Sequence, residues 1–394
     1  MFSQNCRAVV VVAALPLLPG CPHNIELEAP LLQAAPANRV RLVVTGDTGA
    51  LPDANDPHRA TPAQRAALAA AIQAEHPDAV FALGDLVYDR VPACNGDLGA
   101  AERELFEQRI GQIYLGNKSN KSKDNANQSP GTHPTYLVVG NHDAAHTRSR
   151  AARRERCLMA WAAEREGIEL PALQYVVDWG FARVVVIDSN LRDSGDFPAE
   201  ALRESIGAGW TLVMAHHELR TFGDKEVEGF WEPPPPGPYF LAQGLLPDLY
   251  LNGHAHFMQF GVYDLRVTED GRIDSRDLPN PRLLPAVTLG SGSKLRESPN
   301  LSDAPDGPFV PELPFGEDGP RSRAEKLSEN RGIPRFSTSQ IGYGVVELGP
   351  DQLRLQIKGI PVGGGPPQVL YCWERTRSDP GGELCPISAP EETP

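Results

Sequence analysis

The chain has 394 residues, 41% of them hydrophobic, and a formal net charge of -14 at pH 7. That length admits one large domain or two ordinary ones, the apolar share supplies a core, and the acidity argues against a broad basic surface for a nucleic-acid partner. A phosphate-bearing ligand stays compatible, because bound cations reverse the local potential whatever the whole chain sums to.

Residues 1–21 place one positive charge, Arg7, before a short apolar run that closes on Leu18-Pro19-Gly20-Cys21. This reads as a secretory signal, too short to span a membrane as a helix. Its end resembles a bacterial lipobox with Cys21 as the lipidated residue; plain secretion is the alternative. The expected location is a bacterial cell envelope or the exterior, with a membrane met only through a lipid on Cys21. Cys94, Cys157, Cys372 and Cys385 then remain, an even set that implies disulfides in an exported chain. Three pairings are open; Cys372 with Cys385 is the most local and leaves Cys94 with Cys157.

Residues 22–38, rich in Pro and Ala, read as a tether, and 39–394 as one domain. A strand at 39–45 is followed by Thr61-Pro62-Ala63-Gln64, which has the form of a helix start, with Leu68, Ala71 and Ile72 giving that helix an apolar face. A second strand ends at Gly84. Further helices are predicted at 100–114, 149–167 (Leu158, Met159 and Trp161 inward) and near 198–206. Polar 116–130 and Pro-rich 232–238 read as loops, and 291–339 as a long irregular excursion. Strands at 173–178, 183–188, 257–267, 283–289, 343–348, 352–357 and 368–373 make the second half β-rich. Alternating α and β early, then mostly β, predicts two sheets packed face to face with helices outside.

Five strand ends empty into metal-type ligands: Gly46-Asp47-Thr48-Gly49, Gly84-Asp85-Leu86-Val87-Tyr88, Gly140-Asn141-His142-Asp143, Val213-Met214-Ala215-His216-His217 and Gly253-His254-Ala255-His256. A single Asp after Gly is more often a turn residue, but five such tips are hard to assign to chance. Two neighbouring cations need a shared anion and open positions for substrate and water. Asp47, Asp85, Tyr88 and His256 can build an oxygen-rich site favouring a trivalent ion. Asp85, Asn141, His216 and His254 can build a less anionic one favouring a divalent ion.

The five blocks, in this order, resemble the calcineurin-like metallophosphoesterases; Gly49 in the first block and Tyr88 in the second resemble the purple acid phosphatase subgroup. The resemblance covers roughly residues 40 to 350. It implies an α/β fold, a four-layer αββα sandwich of two mixed β-sheets flanked by helices. It also implies Fe(III) at Asp47, Asp85, Tyr88 and His256, and Fe(II), Zn or Mn at Asp85, Asn141, His216 and His254. His142 is then expected at the substrate, contacting phosphate or protonating the leaving oxygen, with Asp143 orienting its ring. His217 has either a cleft role or a packing one. The expected reaction is hydrolysis of a small phosphate monoester by hydroxide held on the metals, as in an acid phosphatase. The alternatives are a phosphodiesterase or nucleotidase with the same metals, and a non-catalytic metal-binding envelope lipoprotein.

Overall fold

The computed structural model describes residues 29–35, 37–53, 55–88, 98–115, 133–144, 148–190, 199–207, 209–219, 246–264, 283–295, 333–378 and 382–387. In chain order these form β1 (Leu31–Gln33), β2 (Val40–Thr45), α1 (Pro62–Ala74), β3 (Ala79–Leu83) and α2 (Ala100–Phe106). A π-helical turn, Glu107–Gly111, leads into α3 (Gln112–Tyr114), β4 (Thr135–Val138), α4 (Arg148–Glu164), β5 (Ile168–Glu169), β6 (Tyr175–Asp178) and β7 (Ala182–Val186). Then come α5 (Ala199–Ser205), β8 (Trp210–Met214), β9 (Leu249–Asn252), β10 (Met258–Asp264), β11 (Leu283–Leu289) and β12 (Ile333–Thr338). The last are β13 (Gly342–Leu348), β14 (Gln352–Gly359), β15 (Gln368–Thr376) and β16 (Glu383–Leu384).

Two mixed eight-stranded sheets result, ordered β16-β15-β14-β13-β2-β3-β4-β5 and β1-β6-β7-β8-β9-β11-β10-β12. Within each, the strands that carry the motifs run parallel: β2, β3 and β4 in the first, β8 and β9 in the second. Parallel central strands are covered on both faces and read as continuous apolar runs, which is why Ala79 to Leu83 are all buried. In the second sheet the side chains sort by a period of two. Val184, Val186, Leu212, Met214, Leu249 and Leu251 join the main core. Val185, Ile187, Val213 and Tyr250 form a separate cluster with Leu202 of α5. The main core also takes Val44 and Val345 from the first sheet, Leu68 and Ile72 from α1, and Leu158 and Trp161 from α4. The architecture is the α/β sandwich of two mixed sheets that the motif pattern implied.

Thr61 and Gln64 close the predicted capping box reciprocally, Gln64 N–H to Thr61 Oγ1 at 3.1 Å and Thr61 N–H to Gln64 Oε1 at 3.0 Å. Three expectations need correction. The stretch 22–38 is not tether throughout, because β1 pairs in parallel with β6 and Val176 N–H donates to the Pro30 carbonyl. The excursion 291–339 holds β12, paired antiparallel with β10. The helix at 100–114 is interrupted by its π turn. Cys372 and Cys385 are bonded, and Cys157 is also in a disulfide; Cys94, its predicted partner, lies outside the described residues. So do the signal at 1–21, Cys21, and the loops 116–130 and 232–238. Among the described residues no helix is long and apolar enough to cross a membrane.

Candidate metal centre

Each motif begins where a parallel strand leaves its sheet, and the backbone there is forced. Asp47, Asp85, His254 and His256 all have positive φ, 58°, 51°, 69° and 60°. Non-glycine residues avoid that region, at a cost on the order of 1 kcal/mol or more each, and it concentrates at functional sites. Among the described residues the other such position is His76, after α1. Two glycines let the tips close on one another: a Cβ on Gly140 would lie 2.1 Å from Asp85 N, and one on Gly84 2.7 Å from Gly140 N. Hydrogen bonds then fasten the tips: Gly46 N–H donates to the Leu289 carbonyl across the two sheets, while Asp47 N–H to Gly84 and Gly253 N–H to His216 join neighbouring strand ends within each sheet.

The buried carboxylates and imidazoles meet in two groups. In one, the Tyr88 hydroxyl donates to Asp47 Oδ1 at 2.7 Å and stands 3.0 Å from His256 Nε2, which is 3.2 Å from the same Asp47 oxygen. Asp47 Oδ2 accepts the His254 N–H at 2.7 Å. In the other, His216 Nε2 lies 2.9 Å from Asn141 Oδ1, 3.3 Å from Asp85 Oδ1 and 3.1 Å from His254 Nδ1, and that Nδ1 is 3.1 Å from Asn141 Oδ1. The seven predicted ligands therefore converge.

These residues fit metal ions on their own chemistry. His216 Nδ1 donates to the Leu83 carbonyl at 2.8 Å, so neutral imidazole turns the lone pair of Nε2 toward two oxygens and a second ring nitrogen. Only a cation or a proton reconciles that many acceptors. In the protein alone a proton fills the place: burial opposes a charged His216, but Asp85 outweighs it and raises the imidazole to about 9. Burial likewise opposes the Asp85 carboxylate, yet His216 holds it well below the usual range. Asp85 Oδ2 is buried without a hydrogen-bond partner among the described residues, as expected of a ligand awaiting its ion. Burial and then Asp47 push the Tyr88 phenol well above its ordinary pKa; a cation beside it inverts that balance. Asp47, Asp85 and His216 also offer ligand atoms within 4.8 Å of one another, as do His216, His217 and His254.

His142 stands beside the cluster. Its N–H donates to Asp85 Oδ1 at 2.9 Å and its ring lies 4.5 Å from that of Tyr88. Burial lowers its pKa, with Asp85 opposing. Asp143 does not hold the His142 ring as expected. Its Oδ1 accepts from Leu86 and Val87 N–H at 2.9 and 3.0 Å and its Oδ2 from Gly140 N–H at 2.9 Å, a clamp between two ligand loops. Burial and the Asp85 charge raise it to about 7. His217 is buried, its ring 4.6 Å from that of His254. The Ser189 oxygen accepts from His216 and His217 N–H at 3.2 and 3.0 Å and lies 2.8 Å from His217 Nδ1. With both acceptor places used, the hydroxyl proton goes to Nδ1, leaving Nε2 the protonated nitrogen. Ser189 and Lys294, whose Nζ sits 4.7 Å over the Tyr88 ring, were not found from sequence; neither belongs to a ligand block.

The family profile for calcineurin-like phosphoesterases matches residues 40–258. Comparison with curated protein sequences gives no match. Among solved structures, the chain is similar to purple acid phosphatase PPD1 from seeds of yellow lupin (Lupinus luteus). The TM-score is 0.53 at 15% identity, over 91% of this chain and 59% of that one. It is also similar to PhoD, with a TM-score of 0.54 at 12% identity, over 92% of this chain and 75% of that one. The chain thus spans less than two thirds of the lupin protein's length, and at these identities the likeness is one of fold. The profile covers more than half of the chain and takes in all five ligand blocks: the protein belongs to the calcineurin-like phosphoesterases.

Proposed function

We propose that the chain is an exported hydrolase of small phosphate monoesters, of the acid phosphatase kind. In this reading Fe(III) is held by Asp47, Asp85, Tyr88 and His256, and Fe(II), Zn or Mn by Asp85, Asn141, His216 and His254. The observation that carries it is the convergence of those seven side chains where both sheets end, with a phenol hydroxyl 2.7 Å from Asp47. Carboxylate and phenolate oxygens suit a hard trivalent ion; two imidazoles and an amide suit a divalent one. When bound, the ions supply charge for the phosphoryl oxygens and lower the pKa of water.

The rest falls to the chain. His142 protonates the departing alkoxide oxygen. Asp143 keeps the Asp85 and Asn141 loops in register, and His217 offers an N–H toward the phosphoryl oxygens. The disulfides at Cys157 and Cys372–Cys385 support export, since such bonds persist in oxidising compartments. The test is metal analysis, a visible spectrum and a panel of monoesters, diesters and nucleotides on one preparation. Monoesters should turn over fastest, and the iron-loaded protein should be purple to pink from tyrosinate on ferric iron. Turnover of diesters alone would replace the monoesterase reading, and a colourless, active, iron-replete sample would remove Tyr88 from the ferric site.

A further inference from the structure

We propose that Ser293 is a positioning residue of the metal centre: its hydroxyl holds the main chain of Asp47 in the left-handed turn that aims the carboxylate at Tyr88, His254 and His256. This rests on the binuclear phosphoesterase reading above and adds what keeps the first ligand in place.

Three observations lead to it. The first is a sixth strand tip. β11 lies between β9 and β10 and runs parallel to β9, so its end, Gly290-Ser291-Gly292-Ser293, arrives beside the ligand loops although it contributes none of the seven ligands. Its glycines allow the approach. A Cβ on Gly290 would lie 2.8 Å from His256 N and 3.0 Å from Asp47 Oδ2, and one on Gly292 2.4 Å from the Gly46 carbonyl oxygen.

The second is the bonding of Ser293, which is fully buried. Its hydroxyl donates to the Asp47 carbonyl at 2.5 Å and accepts the Ala50 N–H at 2.9 Å, so one side chain closes the turn from its first residue to its last. Gly292 N–H donates to the Gly46 carbonyl at 2.9 Å, and the Ser293 carbonyl accepts from Ala60 N–H, just before α1. Arg65 of α1 donates to the Thr48 and Ala50 carbonyls at 2.5 and 2.8 Å. Without the hydroxyl, the Asp47 carbonyl and the Ala50 N–H lose this partner in a buried place, a cost large enough to move the loop.

The third is what depends on the turn. Asp47 has φ 58°, a conformation that a non-glycine residue keeps only where its surroundings impose it. From there Oδ1 accepts the Tyr88 hydroxyl and Oδ2 the His254 N–H, both at 2.7 Å, with His256 Nε2 3.2 Å from Oδ1. Asn141 and His216, ligands of the second ion, are held from elsewhere. Asp143 clamps the Gly140 N–H, and His216 is fixed by the Leu83 carbonyl and Ser189. Displacing the Asp47 turn therefore acts on the first ion more than on the second.

The test compares wild type with Ser293→Ala, with Ser293→Cys, which has a similar size but a weak donor, and with Thr211→Val. The last deletes another buried hydroxyl bond, Thr211 Oγ1 to the Ser205 carbonyl at 2.7 Å, near the opposite end of β8 from His216. Affinities for both ions and the tyrosinate band of the iron-loaded protein are measured, and amide exchange is followed in chelator. Loss of a support behind a ligand predicts that Ser293→Ala weakens the ion at Asp47 roughly ten- to hundred-fold and displaces the band, while the second ion changes by less than about three-fold. Ser293→Cys should show the same selectivity to a smaller extent, and Thr211→Val should leave both ions and the band unchanged. In chelator the His254 amide of Ser293→Ala should exchange at least about ten-fold faster, against an unchanged Leu212 amide in β8. Equal weakening of both ions, wild-type affinity for both, a Thr211→Val effect as large as that of Ser293→Ala, or an unaltered His254 amide overturns the assignment. If Ser293→Ala does not fold, Ser293→Cys decides by the same criteria. If the wild type takes up no metal, the phosphoesterase reading fails by itself, and the His254 amide still decides whether Ser293 places Asp47.

Discussion

His142 differs from its neighbours in accessibility: 36% of its side chain is open to solvent, against 1% for Asp85 and none for His216. A buried group can hold an ion; only an open one can meet a leaving alcohol. In His142→Ala the backbone N–H that donates to Asp85 Oδ1 remains, so the ligand shell should keep its shape. Turnover of a monoester should then fall by about two to four orders of magnitude, the usual contribution of a placed acid or base, while bound metal stays near the wild-type amount. Steady-state assays with metal analysis on the same samples check this, and undiminished turnover would take the imidazole out of the reaction. At this scale sequence was informative about ligands and less so about supports. Asp and His following Gly at strand tips announce themselves by type and spacing. That Asp143 clamps backbone instead of turning toward His142 depends on how the Asp85 and Asn141 loops are folded against each other, which no spacing encodes. Ser189 is found only once β7 lies beside β8.

The elements repeat the lesson. Strands that end in ligands were legible because a buried parallel strand needs an apolar run and a glycine exit. The strands β1 and β12 were not, since three or six residues in Pro-rich surroundings take their order from an edge partner and carry no period of their own. Helix α1 was legible from its capping box, yet its C-terminal fastening was not. Glu75, its C-cap, accepts from Tyr343 Oη and Lys358 Nζ at 2.7 Å each and pairs with Arg41, tying the helix to β2, β13 and β14. Burial alone would raise the Glu75 pKa, but Lys358, Tyr343 and Arg41 prevail and hold it below 4.5. A carboxylate whose folded pKa is depressed stabilises the fold above its unfolded pKa, and that contribution disappears as pH falls through the folded value. Glu75→Gln should therefore cost about 1–2 kcal/mol at pH 7, and the gap should narrow as pH drops below 4.5. Thermal melts of both proteins across that window test the sign; a gap that widens on acidification would mean the ion network is not what holds α1.

For the whole molecule, the centre is also a seam. Asp47, Asp85 and Asn141 come from β2, β3 and β4 of one sheet, and His216, His254 and His256 follow β8 and β9 of the other. Away from this end the sheets are joined by Trp210, whose Nε1 donates to the Gly349 carbonyl at 2.6 Å beneath the Arg375 guanidinium, itself paired with Asp248. Those contacts exist with or without ions, whereas at the ligand end Asp85 is a buried carboxylate whose compensation is a protonated His216. An ion bound there replaces that proton and crosslinks the sheets, so its binding energy adds to the stability of the folded chain alone. For one site, free metal a hundred-fold above Kd adds about 2.7 kcal/mol. Chelated protein should accordingly melt at a lower temperature than metal-loaded protein, and restoring the metal should recover the difference. Asp85→Asn, which weakens both sites at their shared ligand, should lose most of that response, while His142→Ala should keep it. Calorimetric scans of the three proteins in chelator and in metal check the coupling without reference to turnover. Equal melting with and without metal in the wild type would mean that the ligand cluster does not bind metal tightly in the folded chain.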